Sequence, residues 1–227
     1  MIKIENPRTY GWMSAVHGMR NPMNSWDKSD SYETHGGRFF FGESDLTLAK
    51  KLTQAGPDHR KFLRQIMVSM DITAPLYWWK EYDTYKVGTV ANSCSTMHKL
   101  HEKEFTLDDF SHEHLDAWSM ITLKNTIRAL NLNREWFVNY DSKADCKAPK
   151  KDYWWQMIQL LPSSYNQLRT VTLTYENLLN MYRARKDHKL DEWQRFCDTV
   201  SDLPYFDDLI IAKELNNHDN RNPAADA

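Results

Sequence analysis

Apolar positions recur along the chain with two periods, and their alternation predicts most of the elements. MIKIE alternates apolar and polar residues, which predicts a short strand ending before Pro7. Tyr10 to about Met19 is patterned as a helix, stopped by Asn21-Pro22. NPMNSWDKSDSYETHGGRFFFGES then shows no period and reads as a long loop, a kind that is usually functional or mobile. Asp45 to Ala55 is a helix with an acidic start, apolar Leu46, Leu48, Ala49 and Leu52, and Gly56 as its stop. Ile66, Val68, Met70 and Ile72 fall at every second position, a strand that Pro75 ends, followed by a helix from about Leu76 to Asp83.

The second half continues the pattern. Thr106-Leu-Asp-Asp has the form of a helix start, and Leu115 to Leu130 of a long amphipathic helix. Asn131 to Pro149 carries turn chemistry and a basic run, and Tyr153 to Leu161 is helical up to Pro162. QLRTVTLT, Gln167 to Thr174, alternates as a strand, and Tyr175 to about Cys197 reads as one long helix. Residues 213–227 have almost nothing to bury and are expected to be disordered, leaving 1–212 as one domain. The predicted fold class is α/β (α+β), helix-rich with a small mixed sheet.

Composition narrows the function classes. With 227 residues and a formal charge of -2, nothing calls for a nucleic acid polymer or an acidic membrane as partner. Seven Gly and eight Pro are too few for a many-turned β-sandwich. No window approaches eighteen apolar residues, and MIKIENPRTYGW lacks the apolar centre of a secretion signal. The three cysteines Cys94, Cys146 and Cys197 are odd in number and lack metal-type spacing, so a cytoplasmic protein is expected.

Several groups could carry chemistry, each beside a plainer role. APLYWWKEYDTYKVGTVANSCSTMHK, Ala74 to Lys99, mixes rings, charges and small hydroxyl residues; it wraps a ligand or forms a polar seam between helices or subunits. Its Trp and Tyr spacing on a helix more often marks core than a ligand cage. His98, His101 and Glu102 have helical spacing for a metal but lack further ligands, so no metal is assigned. Cys94, among Ser93, Ser95 and Thr96, is either a nucleophile or a small residue packed close to a neighbour. Arg20, Lys28, Ser29 and Ser31 either clamp a phosphate or belong to a solvated loop. No Walker loop or dinucleotide fingerprint is present.

The order of elements adds what no single motif does. DLTLAKKLTQAGPDHRKFLRQIMVSMDITAPLYWWKEYDTYK and LLPSSYNQLRTVTLTYENLLNMYRARKDHKLDEWQRF resemble the flavin-dependent thymidylate synthases over roughly residues 10 to 200. The family signature, R-H-R-x-x-S-x-N-E-x-S-x-R-Y, falls on Thr84, Tyr85, Lys86, Thr89, Ala91, Asn92, Cys94 and Thr96, so a positive charge survives only at Lys86. His59 matches a flavin-side histidine, with Lys61 in place of its hydroxyl partner, and Asn180 matches a flavin-side asparagine. Arg185 matches the arginine that orients and polarises the pyrimidine, whereas Glu176 and Ile158 stand where the family has arginines.

The resemblance implies a homotetramer with shared active sites, FAD as cofactor, and NADPH and methylenetetrahydrofolate as co-substrates. The expected reaction is one-carbon transfer to C5 of a pyrimidine nucleotide such as dUMP, without a protein nucleophile, or a non-catalytic homologue that keeps the fold. It implies a flavin site of His59, Lys61, Thr84, Tyr85, Lys86, Asn92 and Asn180. It implies a substrate site of Glu81, Thr89, Ser93, Cys94, Ser95, Thr96 and catalytic Arg185. Charge-assisted hydrogen bonds contribute about 1.5–3 kcal/mol each, so two missing arginine contacts remove about 3–6 kcal/mol unless lysines replace them.

Overall fold

The computed structural model describes residues 2–141 and 148–211. The expected tail disorder and Cys146 therefore lie outside the described residues. Strands are β1 (Lys3–Tyr10), β2 (Tyr32–Glu33), β3 (Phe39–Phe40), β4 (Met67–Pro75), β5 (Val90–Ser93) and β6 (Asn166–Thr174). Helices are α1 (Trp12–Arg20), α2 (Glu43–Ala55), α3 (Leu76–Tyr82), α4 (Ala117–Val138), α5 (Lys150–Leu160), α6 (Tyr175–Arg185) and α7 (Asp191–Ser201). The fold is helix-rich around a four-stranded sheet of order β1-β4-β6-β5. By contacts the chain forms two compact units, Met1–Lys3, Asp71–Thr84 and Ala91–Thr170 in one, the remainder in the other. The chain passes from one to the other within β1, β4, β5 and β6 and between Thr84 and Tyr85.

The first unit is built on the aromatic face of α3 and on α4 and α5. Trp78, Trp79 and Tyr82 are fully buried and pack ring against ring, and Trp79 Nε1 donates to the Gln167 carbonyl at 3.0 Å. These rings are core, as their spacing favours. A second cluster joins Leu123 and Leu130 of α4 to Met157 of α5 and to Leu100, Phe105 and Phe110. Ile158, at an arginine position of the resembling family, packs against it. Thr106 and Asp109 close a capping box, but only a 3₁₀ turn, Leu107–Asp109, follows, and the long helix begins after Asp116, which accepts from Ser119 N.

The second unit packs α1, α2, α6 and α7 with a 3₁₀ turn, Arg60–Arg64, that touches α1, α2 and α6. Ile66 and Val68 are buried here with Val171, Leu173, Leu178 and Trp193. Gly11 sits at φ 84, and a Cβ there would meet the Gln65 carbonyl oxygen at 2.2 Å, so the turn from β1 into α1 admits no side chain.

Four predicted boundaries are corrected. β1 runs through Pro7, and as the edge strand of its sheet it is the kind of strand that tolerates proline. The long loop contains a hairpin, Tyr32 opposite Phe40 and Glu33 opposite Phe39, too short for its period to register. α4 continues past Leu130 to Val138: the Asn131 amide bonds Phe105 N and O at 2.8 Å each instead of breaking the helix. The predicted helix from Tyr175 to Cys197 is two, parted at Lys186–Leu190. Leu190 is extended there, its N–H donates to His188 Nδ1 at 3.2 Å, and Gln194 Nε2 donates to the His188 carbonyl at 2.8 Å. No Gly or Pro announces the break.

Candidate functional site

In the second unit the short segment Tyr85–Val90 is tied to α6 and α7 through three side chains. The Arg185 guanidinium lies 5.0 Å from the Trp193 ring centroid and 5.7 Å from that of Tyr85, and its Nε donates to Tyr85 Oη at 2.9 Å. Tyr85 meets Trp193 edge to face at 6.0 Å. Thr89 Oγ1 donates to the Tyr85 carbonyl at 2.6 Å, and Asn177 Nδ2 to the Val87 carbonyl at 2.7 Å. The intervening Gly88 sits at φ 75, where a Cβ would crowd Asn177 Oδ1 at 3.2 Å. This joins Tyr85, Thr89 and Arg185, predicted from positions one hundred residues apart. A guanidinium held by a phenol and two rings keeps its plane fixed, which suits bidentate recognition of a carbonyl or an oxyanion.

The residues of the same unit that the sequence resemblance assigned to a flavin are more exposed. His59 precedes the Arg60–Arg64 turn and Lys61 lies on it; both are exposed, as are Lys86 and, on α6, Asn180. No described residue forms an ion pair with Lys61 or Lys86. Glu176 is not idle at its arginine position: it accepts from Arg60 Nε at 3.2 Å and from Arg64 Nε. Burial pushes the Glu176 carboxyl up, but hydrogen bonds and charge from Arg64 and Arg60 outweigh it and hold it below the usual range. This ion-pair cluster fills the start of α6.

In the first unit Asn92 and Ser93 are exposed on β5, Glu81 is half-buried on α3, and its carbonyl accepts from exposed Thr84 Oγ1 at 2.7 Å. Cys94 and Ser95 enter a cavity of about 520 Å³ that Tyr165, Asn166 and Gln167 also line. Neither Ser93 nor Thr96 lines it. Cys94 is exposed, and its backbone is bound on both sides: its N–H donates to the Leu168 carbonyl at 2.9 Å and its carbonyl accepts from Gln167 Nε2 at 2.7 Å. Gln167 Oε1 accepts in turn from Arg169 Nε at 3.0 Å, while Arg169 stacks on Trp79 at 4.2 Å and pairs with Asp83 at 2.9 Å. Lysines at this cavity are matched by carboxylates, Lys99 by Glu102 and Lys103 by Asp109. The supporting residues Gln167, Arg169 and Tyr165 were not singled out in sequence. Strand alternation places Gln167 and Arg169 on one element, without showing which face meets the cavity, and Tyr165 lies just before it.

Two alternatives from the sequence resolve differently. Arg20, Ser29 and Ser31 do not form a phosphate clamp, because Asp45 occupies them. Asp45 is 0% exposed and Arg20 4%. Asp45 Oδ1 accepts from Arg20 Nε at 2.6 Å, and Oδ2 from Ser29 Oγ, Asp30 N and Ser31 N at 2.9–3.0 Å. Asp45 also lies in the first turn of α2 and is not its cap; Gly42 stands at the cap position. At the proposed metal spacing, Glu102 pairs with Lys99 and the His101 ring tilts against Phe137 at 4.7 Å. Among the described residues no three metal-ligating side chains converge, and no helix is long and apolar enough to cross a membrane.

No family model and no curated protein matches the sequence. Solved structures do match in fold. Thymidylate synthase X (ThyX) from Helicobacter pylori with FAD and dUMP superposes with a TM-score of 0.63 at 16% identity, covering 92% of this chain and 97% of that one. A second Helicobacter pylori ThyX structure, a flavin-dependent thymidylate synthase complexed with FAD and dUMP, gives 0.62 at 16% identity with the same coverage. The chain therefore has the fold of these proteins along nearly its whole length.

Proposed function

We propose that this chain catalyses FAD-dependent, folate-linked one-carbon transfer to C5 of a pyrimidine deoxynucleotide such as dUMP, with NADPH and methylenetetrahydrofolate as co-substrates, in a homotetramer. The observation that carries the reading is the fold shared along 92% of the chain with ThyX proteins that hold FAD and dUMP. The fit of the flavin rests on charge: exposed Lys61, Lys86 and His59 suit its diphosphate, and neither lysine is spent on a carboxylate of the described residues. Thr84, Tyr85, Asn92 and Asn180 complete that site.

Arg185 is assigned to the base. Its plane, set by Tyr85 and Trp193, directs N–H groups at a ring carbonyl, where developing negative charge is stabilised most by a preorganised donor. Glu81, Thr89, Ser93, Cys94, Ser95 and Thr96 bind the remainder of the nucleotide, with hydroxyl and thiol groups where the family has serine and arginine. FAD, when bound, supplies the redox step between NADPH and the transferred carbon.

A second reading, a non-catalytic flavin- or nucleotide-binding homologue, is favoured by Glu176, which places an acid closed by Arg60 and Arg64 where the family has an arginine. An absorbance spectrum before and after loading with FAD separates the two. Retained flavin absorbance with dUMP-dependent NADPH oxidation supports the enzyme; flavin or nucleotide binding without turnover supports the homologue. A chain that binds neither overturns both.

A further inference from the structure

A groove of about 510 Å³ along α4 carries a different chemistry. Its walls include Lys124, Arg128, Asn131 and Arg134 of α4, with Glu104 and Glu135. Lys124 and Arg128 are four residues apart, so they share one helix face and repel each other. No described residue forms an ion pair with either cation, and neither Glu104 nor Glu135 forms one with any described cation. Among the described residues, therefore, no ion pair relieves the repulsion.

Arg134 adds a second, independent sign. Its Nη2 makes only a long bond, 3.4 Å, to the Glu102 carbonyl. Its Nε is buried and has no acceptor among the described residues. A buried donor on a charged group without an acceptor is costly, so an acceptor other than the described residues accounts for the arrangement. The Asn131 amide cannot serve, since both its ends are bound to the Phe105 backbone.

We propose that this groove is a binding site for a phosphate-type oxyanion, taken by Arg134 Nε and by the unpaired charges of Lys124 and Arg128. Arginine forks match tetrahedral oxyanions, and lysine adds a point charge. Glu104 and Glu135 on the same walls repel anions of every kind, so a phosphate group of high charge density that both cations reach is favoured over a dispersed polycarboxylate. The site draws on none of the residues assigned to flavin or nucleotide, so it stands or falls separately from that reading.

The test is a titration of the full chain with inorganic pyrophosphate, followed through the ¹⁵N side-chain resonance of Arg134 Nε–H. A saturable shift is expected. K124Q/R128Q, which alters two exposed side chains, is expected to weaken binding by roughly tenfold or more, and K86Q to leave it unchanged. R128Q alone, expected to weaken it by a smaller factor, serves if the double variant does not fold. Absence of a saturable shift overturns the proposal, as does unchanged affinity in the lysine–arginine variants or a loss that follows K86Q instead. A triglutamate peptide that binds as tightly as pyrophosphate overturns the assignment to phosphate.

Discussion

Two arginines of one unit, Arg20 and Arg185, show how differently the same side chain can be used. Arg20 is buried, and its bonds go to Asp45, Ser44 and the Ser25 carbonyl, so its charge is consumed in folding the segment from Ser25 to Asp45. Arg185 is half-buried at the end of α6, and rings and a phenol set its orientation. The first arrangement is a structural ion pair, closed by hydrogen bonds on both partners. The second fixes a plane, which is what recognition of a flat base requires. Sequence context left Arg20 between a phosphate clamp and a solvated loop, and its buried acid partner fits neither.

The contrast can be broken by substitution. Arg20→Ala leaves Asp45 buried without its cation and is expected to lower unfolding stability by about 3–5 kcal/mol in urea titration, with little effect on Arg185 chemistry once folded. A loss below about 1 kcal/mol would mean that the backbone N–H groups of Asp30 and Ser31 alone hold Asp45. Arg185→Ala is expected to keep stability and bound flavin while lowering turnover by about 10²–10³-fold, the usual loss on removing a preorganised donor. Undiminished kcat in that variant would remove its assigned role.

Acid titration sharpens the same comparison. Burial by itself pushes the Asp45 carboxyl up, but hydrogen bonds from Ser31, Arg20 and Ser29 outweigh it and hold its pKa at about 2, against 3.8 unperturbed. The folded value is depressed, so the stabilisation is fully present above the unfolded pKa and is lost as pH falls through the folded one. About 2 kcal/mol should therefore disappear between about pH 4 and pH 2. In Asp45→Asn that part of the acid slope should vanish in thermal melts across the range. The smallest effect is expected from Tyr85→Phe, which deletes the bond to Arg185 Nε but keeps the ring contact. It should lower turnover by about threefold to tenfold, near 1 kcal/mol. An unchanged rate would assign the orientation of Arg185 to Trp193.

Most helices and the two long strands were legible because burial imposes a period on them. Ile66, Val68, Met70 and Ile72 all proved buried, and Pro75 ends β4 as expected. The break between α6 and α7 was not legible, since it depends on the ring nitrogen of His188 and the amide of Gln194 meeting backbone groups two and six residues away. Among site residues, Arg185 and Tyr85 were named from the sequence, but their contact was not. Arg60 was passed over between His59 and Lys61, although it is the member of that turn bonded to Glu176.

What the sequence determined by itself is what periodicity and turn chemistry encode locally: the elements, their order, and through that order the likeness to a flavin-dependent synthase fold. Tertiary structure decided which polar groups remain available. How a charge is held depends on partners distant along the chain, Asp45 for Arg20, Glu176 for Arg60, Tyr85 and Trp193 for Arg185. A pairing across 25, 116 or 100 residues leaves no period in the sequence, because it is selected by where the packed core brings two side chains together.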